Sequence, residues 1–212
     1  MASPIASDPA EWDQIRRAGQ GDGRCLLELF ARYRPRLKRM LKLRLDPRVQ
    51  GRVDPSDLLQ QAYLDIGRQL ADYLRNPSLP FFLWLRQVAG QNLELAHRLH
   101  LGAEAAGAGR EVSLYRGALP GASPTALAAQ LLGRGSTADE AAARAGRKVR
   151  IQEALNGMDA LDREVLTLRH FEQLTNAETA LVLGLTESAA CNHYVRALER
   201  LRGILSGTAD AR

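Results

Sequence analysis

Residues 174–198 read LTNAETALVLGLTESAACNHYVRAL, and this stretch decides the fold of the C-terminal part of the chain. It holds two short helical patterns separated by a glycine. Thr175 is suited to cap the first helix, and Glu178 three residues later completes a capping box. Gly184 ends that helix because glycine adopts positive φ without strain, and Thr186 can cap the second. The pattern predicts a helix-turn-helix, although capped helix pairs also occur in bundles that only pack.

The second helix is expected to run to about Arg202 with one apolar and one polar face. The inner faces of the two helices are predicted to be formed by Ala177, Ala180, Leu181 and Leu183, and by Ala190, Tyr194, Leu198 and Leu201. The outward side chains that would meet DNA are Glu187, Ser188, Asn192, His193, Arg196, Arg200 and Arg202. Glutamate can accept from cytosine N4 and asparagine can pair with adenine, so Glu187, Ser188 and Asn192 are predicted to read bases. The arginines are predicted to contact phosphates.

Composition limits the class of protein. The chain has 212 residues, 45% hydrophobic residues, a net charge of +5 and a pI near 9.6, which suit a polyanionic partner. No apolar run approaches the roughly 20 residues of a membrane span, and the N-terminus lacks the pattern of a signal peptide, so a cytoplasmic location is expected. Cys25 and Cys191 are read as free thiols. No metal-ligand cluster, cofactor loop or catalytic Ser/His/Asp set is recognisable, so no metal, no cofactor and no enzymatic activity are expected.

The order of segments predicts an all-α protein with two small helical domains. Residues 1–101 and 146–206 carry helical patterns, and no alternating β pattern occurs. Residues 102–145 are rich in Ala, Gly, Ser and Pro and are predicted to form a flexible linker, with room for one short helix over 125–132. Residues 207–212 are predicted to be a disordered tail.

The N-terminal block is strongly basic. Residues 16–52 contain twelve Lys or Arg against three acids, a net charge of +9. A solvated helical face and a nucleic-acid contact both explain such a charge, and the sequence leaves both open.

Two helices are predicted in the second half of this N-terminal block. The first opens at residues 54–57, DPSD, and runs to about Leu74 with a polar, acidic outer face. The second begins with Phe81, Phe82 and Trp84 and continues to about Leu101. Its leading aromatics suit core packing, and they also suit stacking on unpaired bases.

Taken in this order, the segments resemble an extracytoplasmic-function (ECF) sigma factor of the bacterial sigma-70 class. The matching motifs are AGQGD at 18–22 with LLELF at 26–30, DPSDLLQQAY at 54–63, FLWLRQVA at 82–89, LDREVLTLRHF at 161–171, the helix-turn-helix, and RALERLR at 196–202. The phrases FLWLR and VRALERLR resemble sigma factors from Planctomycetes-like bacteria.

The resemblance implies a specificity subunit that binds core RNA polymerase and directs initiation at promoter DNA, with an anti-sigma factor as a possible further partner. Residues 1–101 would be sigma region 2 and residues 146–206 sigma region 4, which reads the −35 element. The implied polymerase-docking residues are Asp54, Asp57, Leu58, Gln60, Gln61 and Leu64. The implied residues for reading and melting the −10 element are Trp84, Arg86, Gln87, Gln91, Asn92, His97 and Arg98.

The chain departs from the family pattern at two places. The stretch after Val88 has few of the family's arginines, and the middle of the recognition helix shows Cys191, Asn192 and His193 where Lys or Arg is usual. Two other readings stay open. One is a helix-turn-helix regulator that does not dock on polymerase, and the other is a helical protein-binding adaptor. Salt-dependent DNA affinity would separate a DNA-binding protein from an adaptor.

Overall fold

The computed structural model describes residues 8–102, 119–132 and 138–206, and every regular element in these ranges is helical. The prediction of an all-α fold is therefore confirmed. The chain divides into two compact units, Met1–Ala106 and Gly107–Arg212. Within the described ranges no helix is both long and apolar enough to cross a membrane. The predicted tail at residues 207–212 lies outside the described residues.

Unit 1 consists of four helices, which are α1 (Pro9–Gly19), α2 (Gly23–Arg44), α3 (Pro55–Arg75) and α4 (Phe81–Leu101). Aspartate caps the first three, since the side chains of Asp8, Asp22 and Asp54 accept hydrogen bonds from backbone N–H groups of the first turn. Helix α2 packs against α1, α3 and α4, so it forms the centre of the unit.

Aromatic rings fill the end of unit 1 where α3 ends and α4 begins. Phe81 and Phe82 are buried, at 1% and 5% exposure. Tyr33 stacks on Phe82 with centroids 5.3 Å apart, and Tyr73 stacks on Trp84 at 4.5 Å. The leading aromatics of α4 therefore pack in the core, which was one of the two interpretations of the sequence.

Unit 2 consists of α5 (Pro124–Leu132), α6 (Ala138–Asn156), α7 (Ala160–Leu166), a π-helical turn (Thr167–Phe171), α8 (Asn176–Leu183) and α9 (Glu187–Ser206). Helix α9 packs against α6, α7 and α8. The long C-terminal helix is thus the element around which the unit is built.

The linker prediction is wrong over part of its length. Residues 124–132 form α5, close to the short helix expected at 125–132, and α6 begins at Ala138 inside the predicted linker. Leu127 and Ala128 of α5 are fully buried, and α5 packs against α6. Alanine is the strongest helix former, so a segment poor in large apolar residues still forms helix here. Residues 103–118 and 133–137 lie outside the described residues.

The helix-turn-helix has the predicted caps. Glu178 N donates to Thr175 Oγ1 at 3.1 Å, and Thr175 N donates to the Glu178 carboxylate at 2.7 Å, which completes the capping box. Gly184 has φ of +65°, and Thr186 Oγ1 accepts from Ala189 N at 3.2 Å. The turn and both helix starts are confirmed.

The inner faces of the two helices differ from prediction at several positions. In α9, Ala197 is buried where Leu198 was expected, and Leu198 is 39% exposed. In α8, Thr179 is buried, while Ala177 and Leu181 are exposed. The reason is tertiary contact: α9 turns its His193 and Arg196 flank toward Asp162 of α7, so its buried stripe is centred on Ala190, Ala197 and Leu201.

Candidate polymerase and nucleic-acid interfaces

The outer face of α9 presents most of the residues predicted to read DNA. Glu187, Ser188, Asn192, Arg200 and Arg202 are all exposed. Their side chains reach solvent from a helix whose opposite side is anchored in unit 2. The face can therefore enter a groove of duplex DNA without disturbing the core.

Two predicted DNA contacts, His193 and Arg196, are instead engaged with Asp162 of α7. Arg196 Nε donates to Asp162 Oδ2 at 3.2 Å, and Arg196 Nη2 donates to Oδ1 at 2.7 Å. The Nδ1 atom of His193 lies 2.5 Å from the same Oδ1. His193 is half-buried, so its assignment to DNA contact is corrected to a contact within unit 2.

The Asp162 carboxylate is ionised in this environment. Its burial by itself would raise the pKa, but the hydrogen bonds from Arg196 and His193 and the charge of Arg196 outweigh that effect and lower the pKa. The same hydrogen bond and charge raise the pKa of Arg196. The side chain of Arg196 is nevertheless 58% exposed, so it is paired inside the unit and reachable from outside.

A second polar link, which sequence reasoning missed, fixes the start of the recognition helix. Arg169 Nη1 donates to Asn176 Oδ1 at 2.7 Å, and its guanidinium lies 4.8 Å from the centroid of the Tyr194 ring. Asn176 Nδ2 in turn donates to the carbonyl of Glu187 at 2.8 Å. The π-helical turn, α8 and α9 are thereby joined. The sequence does carry a signal for this link, since the polar residues Arg169 and Asn176 flank the start of the capping box at Thr175.

The polar face of α3 presents five of the six predicted docking residues. Asp54, Asp57, Gln60 and Gln61 are exposed, and Leu64 is 48% exposed. Leu58 is only 8% exposed and belongs to the core, so its assignment to the docking surface is wrong. Successive side chains of a helix are rotated by about 100° around its axis. Leu58 therefore faces the core although its neighbour Asp57 faces outward.

Helix α4 offers fewer DNA contacts than the sequence predicted. Gln91 and Arg98 are exposed and Gln87 is half-buried, whereas Trp84 is half-buried against Tyr73. The three residues that the structure removes from the predicted nucleic-acid surface are Arg86, Asn92 and His97, which are 3%, 8% and 5% exposed.

Neighbouring polar groups explain two of these burials. Asn92 Nδ2 donates to Asp65 of α3 at 3.0 Å and to the Val88 carbonyl at 3.2 Å, so it links α4 to α3. His97 Nε2 accepts from Asp46 N at 3.1 Å and so caps the chain just after α2. Buried polar side chains need such partners. Their role here is to hold unit 1 together.

The burial of His97 is expected to make the stability of unit 1 depend on pH. Burial is the main cause that lowers the pKa of His97; Asp46 partly opposes it and Arg48 adds to it. Because the unfolded chain takes up a proton below about pH 6.5 and the folded chain resists it, unit 1 is expected to lose stability as the pH falls below that value.

Urea unfolding followed by the fluorescence of Trp12 and Trp84 measures this effect. The midpoint is expected to be lower at about pH 5.5 than at about pH 7.5, and His97→Gln, which keeps an acceptor, should flatten that dependence. His100→Gln at an exposed position of the same helix is the control. An identical pH dependence of the parent and His97→Gln would contradict the assignment.

Many of the basic residues of unit 1 are held in ion pairs. Among the basic residues of 16–52, the pairs include Arg16 with Asp13, Arg17 with Asp22, Arg24 with Glu28, Arg32 with Glu11 and Arg48 with Asp46. Such surface pairs contribute little stability, but they neutralise part of the net charge. Only part of the excess positive charge of residues 16–52 is therefore available to bind a partner.

Comparison with known proteins shows that the chain is similar to members of one family. Residues 148–201, which include α8 and most of α9, match the family described as Sigma-70, region 4. Proteins described as ECF RNA polymerase sigma factor SigD, from Mycobacterium bovis and Mycobacterium tuberculosis, are 26% identical over 196 residues, covering 92% of this chain and 84% of theirs. The solved structure of CnrH in complex with the cytosolic domain of CnrY is similar in fold, with a TM-score of 0.55, 20% identity, and coverage of 94% of this chain and 99% of that one.

Proposed function

We infer that the chain is an ECF RNA polymerase sigma factor of the sigma-70 class, a specificity factor and not an enzyme, which directs promoter-specific transcription initiation. One observation carries this conclusion. The Sigma-70, region 4 match coincides with the capped helix-turn-helix of unit 2, while the similarity to the SigD proteins extends over both units. A helix-turn-helix regulator would need only unit 2 to be of the sigma type, and an adaptor would not need the helix-turn-helix.

We propose that core RNA polymerase docks on the outer face of α3. Asp54, Asp57, Gln60, Gln61 and Leu64 form one exposed strip of acidic, amide and apolar groups. An exposed leucine surrounded by polar groups suits an interface centre with a polar rim. The acids would meet basic groups of the polymerase.

We propose that α9 reads duplex DNA at the −35 element. Glu187, Ser188 and Asn192 are exposed and carry the acceptor and donor groups that base edges match, while Arg200 and Arg202 carry charge for phosphates. Trp84, Gln87, Gln91 and Arg98 are the residues of α4 left to meet the −10 element. An anti-sigma factor is a further partner to test, and CnrH was solved with the cytosolic domain of another protein, CnrY.

Substitutions on α9 are expected to separate base reading from phosphate binding. Asn192→Ala should reduce discrimination at one base pair by about 1 to 3 kcal/mol, because one amide pairs with one base. Arg200→Ala should weaken binding to all fragments alike and reduce the salt slope by about 1, because a phosphate contact carries no base information.

Equilibrium binding of holoenzyme to a promoter fragment and to its single-base variants, over a range of salt, measures both effects. Cys191→Ser, an exposed and nearly isosteric change beside Asn192, is the matched control for disturbance of the helix. A uniform loss for Asn192→Ala, or a base-specific loss for Arg200→Ala, would contradict the assigned roles. Absence of any salt dependence would favour the adaptor.

A further inference from the structure

Asp162 of α7 lies behind α9 and contacts Arg196, an arginine of α9 that is at the same time widely exposed. Its side chain is 11% exposed, against 58% for Arg196. The carboxylate uses both oxygens on Arg196, through Nε and Nη2, and Oδ1 also meets His193. The Nη1 group of Arg196 takes no part in these contacts. The arginine is therefore held from one side by an acid while it keeps donors for a second anion.

An acid so close to a DNA-binding face has two opposite effects. A carboxylate roughly 7 Å from a phosphate in water weakens binding by about threefold through repulsion. Ordering a free arginine side chain on binding weakens it by about tenfold or more, and a pre-ordered arginine avoids that loss. Because Asp162 is buried behind Arg196 and its oxygens are already occupied, the ordering effect is the larger of the two.

We propose that Asp162 is a positioning residue for DNA recognition, which fixes the Arg196 guanidinium on the flank of α9 so that its remaining N–H groups meet one backbone phosphate. This inference rests on the proposed function, because it needs α9 to lie on DNA. It assigns a role in DNA binding to an acid that never touches DNA. It also explains why a cation on the recognition helix is paired within the unit.

A double-mutant cycle on the full chain, reconstituted with core RNA polymerase, tests the proposal. The probe is a promoter fragment that the parent holoenzyme transcribes, at fixed salt. Asp162→Ala removes one negative charge, yet it is expected to weaken binding by about threefold or more. In an Arg196→Ala background the same change is expected to cause no loss, because there is no arginine left to position.

Controls distinguish positioning from charge and from folding. Asp159→Asn makes the same charge change on the same helix and keeps a good N-cap, so it should not weaken binding. Arg196→Lys keeps the charge and loses the two-point contact, so it should lose affinity much as Asp162→Ala does, even if Asp162→Ala fails to fold. Thermal unfolding by circular dichroism shows which variants are folded under the binding conditions.

The possible results of these experiments separate the role of Asp162 from the proposed function. Tighter binding by Asp162→Ala would mean that repulsion dominates and would overturn the proposal. Equal losses with and without Arg196 would reveal a structural role only, and Arg196→Lys binding like the parent would also overturn it. If the parent holoenzyme selects no fragment over core polymerase alone, the proposed function itself fails. If the parent selects its promoter and the cycle shows no coupling, only the role of Asp162 fails.

Discussion

Replacing Asp57 and Gln61 together with alanine is expected to weaken the complex with core RNA polymerase by about ten- to hundredfold, because a few central residues carry most of the free energy of an interface. Both side chains are exposed on α3. Asp57 lies in the first turn of the helix, where its loss costs only about 0.3 to 1 kcal/mol of helix stability. The chain should therefore stay folded while docking fails. Titration of labelled chain with core polymerase measures the affinity.

The matched control removes the same two side-chain types from the far end of the same helix. Asp72 lies about 22 Å and Gln69 about 18 Å along α3 from Asp57, so the variant with Asp72→Ala and Gln69→Ala should bind core polymerase like the parent. Leu64→Ala tests the exposed apolar centre of the strip and should also weaken binding. If the Asp57 and Gln61 variant binds core polymerase as tightly as the parent does, the docking surface lies elsewhere.

Phe81→Ala is expected to have the largest effect on stability. Phe81 is 1% exposed and contacts the rings of Tyr33 at 6.1 Å, Tyr73 at 5.7 Å and Trp84 at 5.7 Å between centroids. Removing it leaves a cavity where three helices meet, so the free energy of unfolding of unit 1 should fall by about 3 to 5 kcal/mol. The unfolding temperature should drop by more than about 10 °C.

Tryptophan fluorescence reports this loss selectively, because both tryptophans of the chain, Trp12 and Trp84, lie in unit 1. Phe81→Leu keeps an apolar side chain in place and should cost much less, and Leu99→Ala at a position that is 73% exposed should cost almost nothing. A Phe81→Ala variant that unfolds like Leu99→Ala would show that the aromatic cluster does not hold unit 1 together.

Features set by neighbours in sequence could be predicted. The capping box of Thr175 and Glu178 spans four residues, and the Gly184 turn depends on one φ angle, so both are visible in the sequence. Aspartate caps at Asp22 and Asp54 follow the same rule. The all-helical fold follows from periodicity in the same way.

Features that depend on partners far away in the sequence could not be predicted. Arg196 is 34 residues from Asp162, Asn92 is 27 from Asp65, and His97 is 51 from Asp46. A polar residue on a helix is expected to face solvent unless its partner is known, so Asn92 and His97 were placed on the DNA surface although the fold buries them. The assignment of Leu58 to the docking surface comes from the family resemblance, whereas the fold buries this side chain. For Leu198 the error has another cause: the face of α9 that its neighbours cover is shifted by one residue from the face that periodicity suggests, so Ala197 is buried instead.

The claim that this chain is a promoter-specificity subunit is tested by run-off transcription with purified core RNA polymerase, with and without the chain, on fragments of genomic DNA. We expect discrete transcripts from a few fragments that core polymerase alone does not make, and we expect the Asp57 and Gln61 variant to lose them. A chain that neither joins core polymerase nor changes its choice of start sites would contradict the claim, and the capped helix pair of unit 2 would then be only a packing element.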